Sequence, residues 1–250
     1  MLIDSHIHVG QFNNYYFSPT QIHKLMENVG VDFYAVSSTT QCEENYTKVL
    51  DELHALIDLD GRKVLPVMWI TPEGLKGNIA WYLESDIKWR CLKIHPFLHQ
   101  NDWSPLSGQF QEVVDIAHEL KIPLLIHTGN DGSCNSGKYE SVLANNPNVT
   151  FILAHGRPLS QSISLLKRYD NVFVDSAFMS LDDMSKITQA GLSKKLLWGT
   201  DMCIPQYFYP DDNLEYMYEQ KLTTFHSVCK TTDYECITGK NAIRVFQLDS

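Results

Sequence analysis

The chain has 250 residues, of which 44% are apolar and 20% charged. That suits one large globular domain and is about the length a single α/β barrel needs. A formal net charge of −10 argues against a general nucleic-acid or anionic-membrane surface. No apolar run approaches the roughly 18 residues of a membrane span, and no basic-then-apolar leader opens the chain, so a cytoplasmic protein is expected.

In chain order, short apolar runs alternate with amphipathic stretches. The first strand is expected over Leu2–His8, with His6 and His8 on one side and Ile3, Ser5 and Ile7 on the other, because a strand has period two. A helix follows over Ser18–Val29, opened by Ser-Pro as N-cap and first turn and closed by Gly30. A second strand covers Asp32–Ser38. A second helix covers Glu43–Leu59, where Val49, Leu50, Leu53, Leu56 and Ile57 recur at spacings of three and four. Further strands are expected at Val64–Ile70, Cys91–His95, Pro123–His127, Thr150–His155, Val172–Asp175 and Leu196–Trp198. Helices are expected at about 73–84, 107–120, 137–146, 159–169, 180–190, 212–228 and 232–246.

Eight β-then-α units in succession imply a parallel sheet, and eight is the number that closes a (β/α)8 TIM barrel. An open doubly wound sheet is the alternative. It would bring a glycine-rich first turn, and "HVGQFN" has no phosphate-binding glycine pattern. No linker, short-period repeat or second domain interrupts residues 1–250. The six cysteines, Cys42, Cys91, Cys134, Cys203, Cys229 and Cys236, contain no Cys-x-x-Cys pair and read as reduced packing thiols.

Ten histidines in 250 residues yield about 0.4 His-x-His pairs by chance, so "DSHIH" alone decides nothing. The strand ends decide more, because in a barrel the C-terminal ends of the strands form the working face. The first strand ends in His6 and His8. The fourth, "RCLKIHP", sets Lys93 and His95 on one face. The fifth ends in His127, the sixth in His155, the seventh in Asp175 and the eighth in Asp201. One histidine there is ordinarily a hydrogen-bonded structural residue, and a strand-end Asp such as Asp175 is often an N-cap. Four of these histidines and one aspartate falling on one rim already point to a shared cause. Imidazole nitrogen with carboxylate oxygen is the ligand set of Zn²⁺, Fe²⁺ or Mn²⁺. His23, His54, His99, His118 and His226 fall on helices or loops and read as surface or structural residues.

"DSHIHVG", "LKIHP", "LLIHTG", "LAHGR" and "WGTD", in this order at these strand ends, resemble the amidohydrolase superfamily of metal-dependent barrels. The amidohydrolase-2 branch, with its hydrolases, decarboxylases and hydratases of small organic acids, is the nearest in pattern. The resemblance spans the whole chain. It implies that His6, His8, His127 and Asp201 are metal ligands, with one or two divalent transition metal ions, Zn²⁺ first among them. It makes His155 either a ligand of a second metal or a catalytic residue. Lys93 matches a lysine that, in dihydroorotase-type members, is carboxylated and bridges two metals; one-metal members lack it.

A metal-activated water with Asp201 handling its proton is the expected chemistry, with His155 polarising a substrate carbonyl if it is not itself a ligand. Arg157 is placed to clamp a substrate carboxylate or phosphate; a surface ion pair is the plainer reading. His95 and Trp69, with Phe97, are candidate pocket residues, and packing is the alternative for Trp69 and Phe97. The leading expectation is a hydrolase of a small molecule with an amide, ester or lactone bond. A decarboxylase is the alternative. A TatD-type deoxyribonuclease, which has a glutamate where Lys93 stands, and a non-catalytic barrel rank lower. The expected partner is a small-molecule substrate, with no nucleic acid or membrane; a homodimer remains open.

Overall fold

The computed structural model describes residues 1–43, 45–77, 79–99 and 103–248. Among these, nine strands make one sheet: β1 (Ile3–Phe12), β2 (Tyr15–Phe17), β3 (Phe33–Ser38), β4 (Val64–Trp69), β5 (Cys91–Ile94), β6 (Leu124–His127), β7 (Phe151–Ala154), β8 (Val172–Asp175) and β9 (Leu196–Leu197). From β1 through β3 to β9 every neighbouring pair is parallel. The sheet closes on itself where the chain just past β9 pairs with β1: Ile7 bridges Met202, Ser5 N donates to Trp198 O at 2.9 Å, and Asp201 N donates to His6 O at 2.7 Å. These eight parallel strands form the expected TIM barrel.

Alternate residues divide between two cores. Ala35, Leu65, Val67, Cys91, Leu125, Ile152, Phe173 and Leu197 pack with one another inside the barrel, plugged from below by Ala242, Val245 and Phe246. Their strand neighbours Val36, Val64, Met68, Leu92, Leu124, Ile126, Leu153, Val174 and Leu196 join the outer layer under the helices. Two positions beyond the inner core, the same faces present Trp69, Lys93, His127 and Asp175. The alternation that fills the barrel therefore also aims these side chains into its mouth.

The expectation for β1 needs correction. Ile3 belongs to the inner core, whereas Ile7 lies in the outer one, so they do not share a face. The register against β3 slips between Asp4 and Ile7. One extra residue is absorbed there as a bulge, and Asp4 Oδ1 accepts the His6 amide at 3.1 Å. Beyond the bulge His6 and His8 point inward together, as expected.

β1 also runs past His8 and turns back through Asn13-Asn14 into β2, with Gly10 opposite Phe17. This hairpin was not expected. The turn lacks glycine and depends on Asn13 holding φ +50°, which asparagine tolerates better than most residues. The expected helix over 73–84 is two short ones, Pro72–Gly77 and Ile79–Glu84, whereas the last expected helix forms as one helical run from Thr231 to Val245 whose middle turn, Cys236–Lys240, is wound as a π-helix. The expected 43–59 and 73–84 helices include Glu44 and Asn78, which lie outside the described residues. The others form close to the expected bounds, with Ser18, Asn45, Ser107, Ser180 and Asn213 as N-caps, each side chain accepting one of the free first-turn amides. Among the described residues no helix is long and apolar enough to cross a membrane.

Gly10 holds φ +96°, and a Cβ there would stand 2.5 Å from Glu52 Oε2 and 2.6 Å from Thr40 Oγ1. A left-handed conformation costs an L residue about 1–2 kcal/mol before any clash, and a chain of this size loses roughly 2–4 °C in Tm per kcal/mol. Gly10→Ala is therefore expected to lower the thermal midpoint by at least about 2–8 °C, measured by circular dichroism; an unchanged midpoint would show that the hairpin takes another backbone.

Candidate metal centre and active-site cavity

The three side chains that meet most closely come from the two strands at the closing seam. His6 and His8 rise from β1, and Asp201 follows β9. His6 Nε2, His8 Nε2 and an Asp201 carboxylate oxygen all lie within 4.8 Å of one another, and all three residues are buried. Asp201 Oδ1 is 2.8 Å from His8 Nε2 and 3.3 Å from His6 Nε2.

The far side of each imidazole is tied down. His6 Nδ1 is 2.9 Å from Asp175 Oδ2. His8 Nδ1 faces the Ser37 carbonyl at 3.3 Å and its hydroxyl at 3.1 Å. A carboxylate and a carbonyl accept only, so each Nδ1 carries the proton and donates, and each Nε2 turns a lone pair toward Asp201. This is the outer arrangement that orients histidine ligands around a cation. Asp201 Oδ1 is buried and makes no hydrogen bond of good geometry. Two lone pairs and one anionic oxygen converging without a proton between them fit a divalent cation by donor chemistry.

Asp175 does more than end a strand. The helix that follows is capped by Ser180, so Asp175 is not its N-cap. Its Oδ1 accepts the amides of His155 and Ala177 at 2.9 and 3.0 Å while Oδ2 holds His6. Burial alone would raise its pKa, but His6 and these donors outweigh burial and keep the carboxylate below its ordinary range. Asp201 follows the same balance: burial opposes ionisation, and the histidines beside it, His6 first and then His8, hold it well below the usual carboxylate value.

Lys93 points between the two imidazoles. Its Nζ is 2.9 Å from His6 Nε2 and 3.1 Å from His8 Nε2, and it lies 4.6 Å above the Trp69 ring. Burial pulls its pKa down to about 8, against the opposing pull of Asp201 and Asp175. Burial, and then the Lys93 charge, push His8 down to about 3. It is thus a neutral imidazole over the whole working range.

His127 and His155 pair with each other rather than joining the compact triad. His155 Nε2 is 3.2 Å from His127 Nδ1, and His155 Nδ1 faces the Ala177 carbonyl at 3.1 Å. Strand parity would turn His155 outward, since Ile152 and Ala154 already face in. A left-handed backbone, φ +65°, brings it back toward the mouth, and Asp201 has the same conformation at φ +61°. His155 also stands with its ring 5.5 Å from that of His6. His95 is stacked between Trp69 at 5.5 Å and His127 at 3.7 Å. Its Nδ1 accepts the Leu98 amide, so the neutral ring carries its proton on Nε2 as a donor. Burial holds His95, His127 and His155 below the ordinary histidine pKa.

These residues line one cavity of about 500 Å³ at the mouth of the barrel. Its floor is His6, His8, Lys93, His127, His155 and Asp201, and Trp69 and His95 form one wall. Arg157 enters from the side, with its Nη2 donating to the Phe178 carbonyl at 2.9 Å. The upper rim is apolar, with Phe12, Phe97, Phe178 and Phe208. Every residue expected as a ligand, catalytic group or pocket wall reaches this cavity. The sequence reading missed Ser37, which carries no motif, and the aromatic contributions of Phe12, Phe178 and Phe208, which come from the strand extension and the loops. It also gave no sign that Gly199 of "WGTD" is needed for closeness: a Cβ there would stand 3.2 Å from the Cβ atoms of both His6 and Asp175. Cys134 lines the cavity and Cys203 is buried two residues past Asp201; burial pushes both thiols up, which leaves them protonated.

A closed parallel barrel with a histidine–aspartate cluster at the C-terminal ends of its strands carries its reactive side chains on the face where barrels of this class place their active sites. The amidohydrolase-2 family model, described as "Amidohydrolase", matches residues 3–248, and the chain belongs to that family. No curated protein matches the sequence. Solved structures share the fold at low identity. A zinc-bound amidohydrolase from Burkholderia multivorans is 12% identical with a TM-score of 0.70, over 100% of both chains. A probable 2-pyrone-4,6-dicarboxylic acid hydrolase from Acinetobacter baumannii, with citric acid bound, is 12% identical with a TM-score of 0.66, over 98% of this chain and 99% of that one. A 5-carboxyvanillate decarboxylase from Novosphingobium aromaticivorans, complexed with manganese and 4-hydroxy-3-methoxy-5-nitrobenzoic acid, is 11% identical with a TM-score of 0.70, over 99% and 96%.

Replacing Asp175 with Asn removes the charge that fixes the His6 tautomer while keeping the shape. Loss of such an outer partner typically costs roughly 10–100-fold in metal affinity. Asp175→Asn is expected to weaken Zn²⁺ binding by about that factor in a chelator competition; affinity equal to wild type would mean that His6 is oriented by something else.

Proposed function

We propose that the protein is a metal-dependent hydrolase of a small molecule with an amide, ester or lactone bond, and that His6, His8 and Asp201 hold its divalent cation. The observation that carries this reading is the convergence of two oriented Nε2 lone pairs and the Asp201 carboxylate at the floor of a cavity. Zinc is the first candidate because two nitrogens and an oxygen suit it; zinc and manganese each occur in a structure of the same fold.

When bound, the cation supplies Lewis acidity, which lowers the pKa of a coordinated water toward about 7 and polarises a carbonyl oxygen. The residues do the rest. Asp201 is ionised at any working pH, so its carboxylate accepts the proton of the attacking water and hands it to the leaving group. His127 and His155 share a hydrogen bond at the cavity floor, which keeps the His155 ring fixed beside the reacting carbonyl. His95 Nε2–H is a donor for a substrate oxygen, and Arg157 is a cation for a carboxylate on the substrate. The apolar rim excludes water and packs against the body of a small organic molecule.

A decarboxylase is the second reading, and Arg157 on the wall of the same cavity favours it, since it offers a cation to a carboxylate on the substrate. Substrate turnover in ¹⁸O-labelled water separates the two: hydrolysis places the label in the product acid, whereas decarboxylation releases CO₂ and leaves the organic product unlabelled. The Lys93 amine, adjacent to both imidazoles and lowered to about 8, also suits carboxylation and a second metal with His127 and His155. Two metal equivalents found only with bicarbonate present would establish that form.

Two measurements test the main reading. His6→Ala combined with His8→Ala is expected to strip the metal; unchanged metal content by elemental analysis would put the site elsewhere. Asp201→Asn is expected to reduce turnover by at least ~10²-fold, as for loss of a general base. Undiminished activity on a substrate found by screening would end that assignment.

A further inference from the structure

The helix Leu214–Val228 packs outside the barrel, across the strands that carry the site's two carboxylates. Tyr218 and Lys221, three residues apart, face the same way. The Tyr218 hydroxyl accepts from Trp198 Nε1 at 3.0 Å. Lys221 Nζ donates to the Ser176 carbonyl at 2.8 Å and lies 3.4 Å from the Gly199 carbonyl and 5.3 Å from the Trp198 ring centre. Ser176 is the residue after Asp175, and Gly199 is two before Asp201. The same two residues are laced together directly: Ser176 Oγ donates to Gly199 O, and Gly199 N donates to Ser176 Oγ, both at 3.0 Å.

We propose that Lys221 is a positioning residue for the metal centre: its ammonium gathers the carbonyls at the ends of β8 and β9 and so sets the approach of Asp175 and Asp201 to His6 and His8. The inference rests on the reading that His6, His8 and Asp201 hold a cation.

The arrangement is more than helix docking. Among the described residues no carboxylate lies within ion-pair distance of Lys221, so its partners are the two carbonyls and the indole face. Taking an ammonium out of water costs free energy, and a methionine or leucine would dock the helix without that cost. What an apolar side chain cannot do is draw two carbonyl oxygens toward one point. Those carbonyls belong to the peptide links next to and near the site's carboxylates, where a small backbone shift moves both acids. Burial pulls the Lys221 pKa down to about 8, and the Asp4, Asp175 and Asp201 charges oppose that pull, so the ammonium form prevails at neutral pH.

The test compares wild type, Lys221→Met and Lys221→Arg after the metal is removed by chelation. Zn²⁺ affinity is measured by competition with a fluorescent chelator. Co²⁺ titration reads the ligand geometry through its visible absorption bands, and circular dichroism reads the fold and melting of the metal-free chains. Lys221→Met is expected to remain folded, to bind Zn²⁺ at least about tenfold more weakly, as for loss of an outer partner, and to shift the Co²⁺ bands, with Lys221→Arg recovering part of both. If Lys221→Met does not fold, Lys221→Gln, which retains one donor, takes its place under the same criteria. A folded variant with wild-type Zn²⁺ affinity within about twofold and unchanged Co²⁺ bands overturns the proposal. Wild type that binds no metal, or His6→Ala/His8→Ala that binds it equally well, overturns the functional reading itself and this inference with it.

Discussion

Closure of the barrel between β1 and the chain past β9 is the constraint on which the site depends. His6 and His8 sit on one side of that seam and Asp201 on the other, at opposite ends of the sequence. The bonds that close the seam are the bonds that build the cluster: Asp201 N to His6 O, His8 N to Met202 O, and Ser5 to Trp198 O. Asp4 reinforces them from behind, accepting the Thr200 hydroxyl at 2.7 Å and the Thr200 amide at 3.2 Å as well as the His6 amide. A barrel that failed to close would lose a sheet edge's worth of hydrogen bonds and the histidine–aspartate cluster in the same event.

Burial makes the charge balance at the mouth demanding. Asp175, Asp201 and Lys93 are all buried, and an unpaired buried charge is costly. Two of them are answered within the protein. Asp175 is spread over His6 and two amides. Asp201 Oδ1 faces the two Nε2 lone pairs with no donor between them, the charge that the proposed cation would answer. Lys93 rests against both imidazoles and over the Trp69 face, where an aromatic ring attracts a cation. A cation bound by His6, His8 and Asp201 must therefore compete with the Lys93 ammonium for the same lone pairs. If the proposed cation binds there, the state of Lys93 governs its uptake.

Three of the six non-glycine residues with positive φ among the described residues, His155, Phe178 and Asp201, line the cavity. His155 and Asp201 both adopt left-handed backbone conformations, which non-glycine residues hold only when their surroundings fix them. Asp175 supplies part of that fixing for His155 through its amide, and the His6 carbonyl does so for Asp201. The apolar rim above comes from the extended end of β1 (Phe12), the loops carrying Phe97 and Phe178, and the short helix ending at Phe208, so the floor carries the reactive groups and these outer segments shape what enters.

The alternation of strand-like and helical stretches made the barrel legible, because period-two and period-three-to-four patterns report which side of each element is buried. The strand-end residues His6, His8, Lys93, His95, His127, His155, Asp175 and Asp201 were legible too, since the rim of a parallel barrel is where strand ends meet. The sequence by itself thus determined the architecture and which side chains share the mouth. It did not determine that the β1 bulge separates Ile3 from Ile7, that Asp175 orients His6 rather than capping a helix, or that His127 pairs with His155 while Lys93 turns to His6 and His8. Those choices depend on register across the seam and on single backbone angles at His155 and Asp201. Only the tertiary structure decided them, because each arises from contacts between residues far apart in the chain, which no local pattern encodes.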